Sequence, residues 1–113
     1  MIKKARDLTG KELDYAVAVA LGKTPDFADF NNSKYSMVQY SSDWRDGGAI
    51  IEREKISLEF CPRTNEVSAM IQYEDDATGN VWQKAQCWGS NPLEAAMRCF
   101  VISKLGEEVE VPG

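Results

Sequence analysis

The chain contains no histidine. That absence excludes every His-based triad, every imidazole general base and every imidazole metal ligand. Cysteine is scarce: Cys61, Cys87 and Cys99 form an odd set at long, irregular spacings, with no Cys-x-x-Cys pair. A zinc ribbon, a thioredoxin-type centre and a disulfide-stapled secreted scaffold therefore lose their basis. Positive charge is in deficit, with 13 Lys and Arg against 18 Asp and Glu for a net −5. Phosphate-backbone binders carry a basic footprint, so no nucleic-acid partner is expected. Long apolar runs are missing as well. The longest, Ala16 to Leu21, falls far short of the roughly 20 residues that a membrane span needs. No apolar stretch of a secretory signal follows the basic start MIKKARDLTG, so no membrane partner is expected and a cytoplasmic location is.

What remains is a globular composition, 113 residues with 43% hydrophobic and 27% charged side chains. A chain of this size folds to about 6,200 Å² of surface from roughly 18,000 Å² unfolded, enough for one core and no second. Residues 1–113 are read as a single domain with an acidic tail at about 107–113.

Local patterns give the order of elements. Thr9 with Glu12 has the spacing of a capping box, and Leu13, Ala16, Val17, Ala20 and Leu21 recur as a helical stripe that Gly22 ends. Lys23 to Lys34 reads as a loop with Phe27 and Phe30 folded onto the core, and Tyr35 to Tyr40 as a short strand. Ser42 or Asp43 caps a turn, Gly47-Gly48 marks a break, and a short helix covers Ala49 to Lys55. Ile56, Leu58 and Phe60 then alternate with polar residues, as do Val67, Ala69, Ile71 and Tyr73. The third strand, Val81 to Trp88, places Trp82 and Trp88 on one face with Lys84 and Gln86. Ser90 or Asn91, Pro92 and Glu94 open the last helix, whose apolar face is Leu93, Ala96, Met97, Phe100, Val101 and Leu105. Gly106 ends it, and the tail offers one valine face for docking. The expected fold is α+β: a three-stranded antiparallel meander packed against an N-terminal and a C-terminal helix, with a short extra helix before the sheet. A meander followed by a helix is similar to the double-stranded-RNA-binding arrangement, but Glu94 and the acidic turns oppose that chemistry.

No catalytic set is visible, because the serines and threonines have no base to activate them. The carboxylate pairs Asp43/Asp46, Glu52/Glu54, Asp75/Asp76 and Glu107/Glu108 read as solvated acids, and Asp75 to Asn80 lacks the closing Glu of a calcium loop. No enzyme activity, cofactor or metal is expected. The densest segment is Tyr40 to Glu54, where Tyr40, Asp43, Trp44, Arg45, Glu52 and Arg53 are the candidate ligand-binding residues. The competing structural reading makes Asp43 a helix cap, Trp44 a core anchor and the arginines surface pairs. Arg53 and Glu54 adjoin in sequence, which sends any ion pair of Arg53 elsewhere.

This segment, Tyr-Ser-Ser-Asp-Trp-Arg-Asp-Gly-Gly-Ala-Ile-Ile-Glu-Arg-Glu, resembles the signature of the NinX-like family of small phage and prophage proteins of unknown function. Thr9 to Ala18, Asn91 to Val101 and Ser103 to Pro112 agree with it, while Tyr15 and Ala49 stand where the pattern has Trp and Pro. The resemblance implies a phage or prophage origin and action in the bacterial cytoplasm. The positions it singles out are Asp14, Tyr40, Asp43, Trp44, Glu52, Pro92 and Arg98. The expected function is that of a non-enzymatic accessory protein binding a host or phage macromolecule and modulating host defence or metabolism. The alternative is a small-molecule binder that sequesters a nucleotide-type signal, with Trp44, Arg45 and Arg53 converging on it.

The cysteine pattern predicts three free thiols. Protein denatured after expression in a reducing cytosol should titrate three thiols per chain, and an intrachain bridge would overturn this reading.

Overall fold

The computed structural model describes residues 1–25 and 38–112. Its elements are β1 (Ile2–Lys4), a single 3-10 turn (Ala5–Asp7), α1 (Gly10–Ala20), α2 (Trp44–Glu54), β2 (Ser57–Cys61), β3 (Glu66–Glu74), β4 (Val81–Gly89), α3 (Pro92–Leu105) and β5 (Glu108–Glu110). Strands β2, β3 and β4 form an antiparallel sheet in that order, and β1 pairs with β5 in a separate two-stranded ribbon. The α+β class and the meander are as the periodicity predicts.

Helix α3 organises the rest. Asn91 accepts a bond from the Glu94 amide at 2.9 Å and Pro92 occupies the first turn, so both start signals act as read. Leu93, Ala95, Ala96, Met97, Cys99, Phe100 and Val101 are all buried. At 3.6 residues per turn these seven span roughly 240° of the helix surface. Such a helix needs neighbours on several sides. It packs on β3 and β4, and also on α1, α2, the 3-10 turn and β5. The apolar face is therefore wider than its strongest hydrophobes suggest, because Ala95 and Cys99 add a second flank. Leu105, expected on that face, is exposed at the last turn.

Close approach is bought with small residues. A Cβ on Gly89 would fall 2.5 Å from the Ala95 nitrogen and 2.9 Å from its Cα, so the end of β4 meets α3 backbone to backbone. A Cβ on Gly47 would collide with the Tyr40 carbonyl oxygen and lie 2.7 Å from Leu93 Cδ2. That contact explains Gly47 inside α2, whereas a Cβ on Gly48 would meet only Trp44 at an ordinary 3.5 Å. The helix runs from Trp44, against the expected start at Ala49, and accepts a propensity cost of about 1 kcal/mol at Gly47 for the packing it allows.

Several local expectations fail for identifiable reasons. Thr9 precedes α1 but its hydroxyl makes no capping bond, and Glu12 instead pairs with Lys3 Nζ at 2.6 Å. A charge-assisted pair to a neighbouring strand is the stronger partner. Val38 to Tyr40 is not strand, and residues 35–37, like Phe27 and Phe30, lie outside the described residues. Phe60 shares the core-side face of β2 with Leu58 by register but is 68% exposed, since α3 covers β3 and β4 and not the end of the β2 edge. Trp82 and Trp88 are on opposite faces. Ile71 pairs with Ala85 and Gln72 with Gln83, which leaves Lys84 unpaired and reverses the alternation beyond it. Trp82 thus stands opposite Tyr73 and Trp88 opposite Ser68. The valine face of the tail does dock: Val109 and Val111 are buried, and Lys3 pairs with Val109 in the ribbon.

The burial of α3 sets a clear hierarchy of substitutions. In urea unfolding, Met97→Ala and Phe100→Ala should each cost about 2–5 kcal/mol through cavities. Lys104→Ala, which loses only an exposed pair with Glu54, should cost under about 1 kcal/mol. Small and equal losses at all three positions would contradict the central place of this helix.

Candidate functional site

The Tyr40–Glu54 segment resolves into anchors and exposed groups. Tyr40 is buried and its hydroxyl accepts a bond from Lys23 Nζ at 3.2 Å. Asp43 is the cap of α2, its carboxylate accepting from the Arg45 amide at 2.9 Å. Trp44 is no core anchor. It is the first helical residue and 57% exposed, while Tyr40 and Ile50 are the segment's buried apolar side chains. Arg45, Glu52 and Arg53 are exposed too. Arg53 does meet its neighbour, with Nε 4.0 Å from the Glu54 carboxylate. Arg45 and Arg53 stand eight positions apart on the helix, about 12 Å along its axis.

Among the described residues a groove lies elsewhere, beside the edge of β4 that β3 does not pair. It has a volume of about 580 Å³ and is lined by Gln86 to Ser90, the Lys4–Asp7 turn, Glu66, Glu107 and Glu108, with Glu94, Arg98 and Ile102 of α3 between them. Those three α3 residues recur at every fourth position and fall in the stripe of the helix that the core leaves uncovered. None of the six candidate residues of the Tyr40–Glu54 segment lines it.

Arg98 fixes the shape of this groove. Its Nε donates to the Leu8 carbonyl at 2.8 Å, its Nη1 to the Trp88 carbonyl at 2.8 Å, and its Nη2 lies 3.3 Å from Glu94 Oε1. Glu94 also accepts from the Ser90 amide at 3.0 Å and the Ser90 hydroxyl at 3.1 Å. One guanidinium thereby ties the chain before α1, the end of β4 and the first turn of α3. Glu94 thus does more than open the last helix. The lining carries Asp7, Glu66, Glu94, Glu107 and Glu108 against Lys4, Arg6 and Arg98. With Arg98 and Glu94 paired together, four carboxylates remain against two cations. Trp88, 45% exposed, adds an indole. The arrangement suits a cationic group that can use both a carboxylate and an aromatic face. Sequence reasoning missed the groove. Its one local signal was a Glu94–Arg98 pair on an otherwise apolar helix.

All three cysteines are free. Burial raises the thiol pKa of Cys87, and pushes that of Cys99 up to about 12 with a further push from Cys87. Cys61, outside the core, is lowered by a hydrogen bond from the Thr64 side chain and by the Thr64 and Arg63 amides. Among the described residues no cluster of acids and cysteines is arranged to hold a metal, and no helix is long and apolar enough to cross a membrane.

Asp14 is the one buried acid among the described residues, 5% exposed on α1. Its Oδ1 accepts from the Ser41 amide and the Ser41 hydroxyl, both at 2.8 Å, which ties the approach to α2 onto α1. Burial raises its pKa above the ordinary 3.8, and the two Ser41 bonds only partly oppose this. The folded state therefore holds this proton more tightly than the unfolded one. The group's contribution to stability is full below the ordinary carboxylate range and is lost as pH rises through the folded-state value. Asp14→Asn keeps an oxygen to accept both bonds and buries no charge, so at pH 7 its thermal midpoint should equal or exceed that of the parent. Asp14→Ala should cost about 1–3 kcal/mol by leaving Ser41 unpaired. An Asn variant as damaged as the Ala variant would show that the charge itself is required.

Comparison with known proteins places the chain. No curated protein matches it. A family model described as "Bacteriophage P22, NinX" matches residues 4–104, which include Asp14, the Tyr40–Glu54 segment, the three-stranded sheet, α1, α2 and all of α3 but its last residue. The chain belongs to this phage NinX family.

Proposed function

We propose that the protein is a phage accessory protein that acts by binding a basic surface of another protein, of the host or of the phage, through the groove beside β4. The observation that carries this reading is the lining of the groove, four carboxylates beyond the internal Arg98–Glu94 pair against Lys4 and Arg6, with Trp88 beside them. The net −5 of the whole chain supplies a field that speeds encounter with a cationic partner. Trp88 provides the large apolar contact that such interfaces concentrate at their centre.

The test is differential capture from lysate of infected cells. The parent protein should retain a basic protein at low salt and release it as salt rises. Glu107→Lys combined with Glu108→Lys should weaken retention about tenfold or more, as should Trp88→Ala. Glu59→Lys, on the open face of β2 and outside the groove, should leave retention unchanged. Retention that is equal in all variants, or that selects acidic proteins, would overturn the proposal.

A further inference from the structure

The groove has one wall made of backbone. Among the described residues, strand β4 is last in its sheet and paired with β3 on one side only. The Trp88 carbonyl accepts from Arg98 at 2.8 Å, so it points away from β3 and toward the groove. Alternation along an antiparallel ladder turns the amide and carbonyl of Gln86 the same way. Free edges of this kind attract strands, and proteins blunt them with lysines and with bulges. Here both devices occur together at Lys84, the residue left unpaired where the register with β3 shifts. From Ala85 to Gly89 neither device is present, and Gln86 to Gly89 of this stretch line the groove. Arg98 marks its far end by occupying the Trp88 carbonyl.

We infer that Gln86–Trp88 of β4 accepts an extended, basic segment of the partner protein as a fourth strand. The inference rests on the proposed reading of the groove and names the form in which the partner binds. Main-chain hydrogen bonds to Gln86 and to the Trp88 amide supply the register. The lysines or arginines of the added strand meet Glu66, Glu107 and Glu108 on the groove walls. An acidic or neutral strand finds no such counter-charge, which selects the basic partner over a second copy of this acidic chain.

The probe is an alternating lysine–valine peptide, prepared unmodified and with every backbone nitrogen methylated, titrated against the full-length, isotopically labelled protein. The unmodified peptide should bind, and amide hydrogen exchange at Gln86 and Trp88 should slow about tenfold or more. The methylated peptide keeps its charge but lacks main-chain donors, and should bind at least roughly tenfold more weakly. Gln86→Pro removes an outward amide that β3 does not use, a substitution that edge strands tolerate. That variant should melt as cooperatively as the parent and lose the peptide. Equal affinity for the two peptides, or unchanged exchange at Gln86 and Trp88 with peptide bound, overturns strand addition and leaves the acidic groove as the binding surface. Failure of both peptides to bind overturns the groove reading as well. Slowed exchange at Gln86 that depends on protein concentration without peptide would give the edge to a second copy, and would also overturn the proposal.

Discussion

Helix α3 carries apolar side chains around most of its circumference, and a helix of that kind has no stable place at a surface. The architecture follows from covering it. The sheet takes one side through β3 and β4, while α1, α2, the 3-10 turn and the β1–β5 ribbon take the remainder. Phe100, Met97, Cys99 and Val101 lose all contact with water as a result. Each deletes apolar surface at roughly 25 cal/mol per Å², the dominant favourable quantity in a domain this small. The small residues Gly89, Ala95 and Gly47 are the geometric condition for this burial, since any larger side chain at those points would separate the layers.

One stripe of α3 escapes the cover, and the candidate site is built on it. Glu94 and Arg98 are polar enough to face water, yet both are spent mainly on the fold. Arg98 satisfies two carbonyls and a carboxylate, and Glu94 completes the turn between β4 and α3 through Ser90. A guanidinium with this many fixed partners is a rigid support, and rigid elements position binding surfaces better than loops do. The groove beside it is bounded by the edge of β4 and by acids from both ends of the chain. The acidic lining is thereby coupled to closure of the terminal ribbon, because Glu107 and Glu108 reach the groove beside the pairing of β5 with β1.

The family signature divides along the same line. Asp14 accepts both bonds from Ser41, Tyr40 lies beneath Gly47, Asp43 caps α2, Pro92 opens α3 and Arg98 joins three segments. These five positions are explained by packing and hydrogen bonding. Trp44 and Glu52 are left exposed on α2. Within Tyr40–Glu54 the fold takes up Tyr40 and Asp43, while Trp44, Arg45, Glu52 and Arg53 face solvent.

Sequence alone determined whatever depends on neighbours a few residues apart. The cap signals around Asp43 and Asn91, the strand alternation of Val67, Ala69 and Ile71, and the α+β class are local, with a period of 2 or 3.6. Exclusion of histidine and dithiol chemistry needed only composition. Tertiary structure decided everything that requires distant segments to meet. Lys84 lost its pairing with β3 through a register set across the whole hairpin, and that shift placed Trp82 and Trp88 on opposite faces. Residues Ile2–Lys4 and Glu108–Glu110, each too short to announce a strand, became one only by pairing with each other. Glu12 left the cap for Lys3, and Trp44 faces solvent while Tyr40 and Ile50 enter the core. The groove belongs to this second class. Its carboxylates come from four separated stretches of chain, and no periodicity in sequence records that folding will bring them to one edge of a sheet.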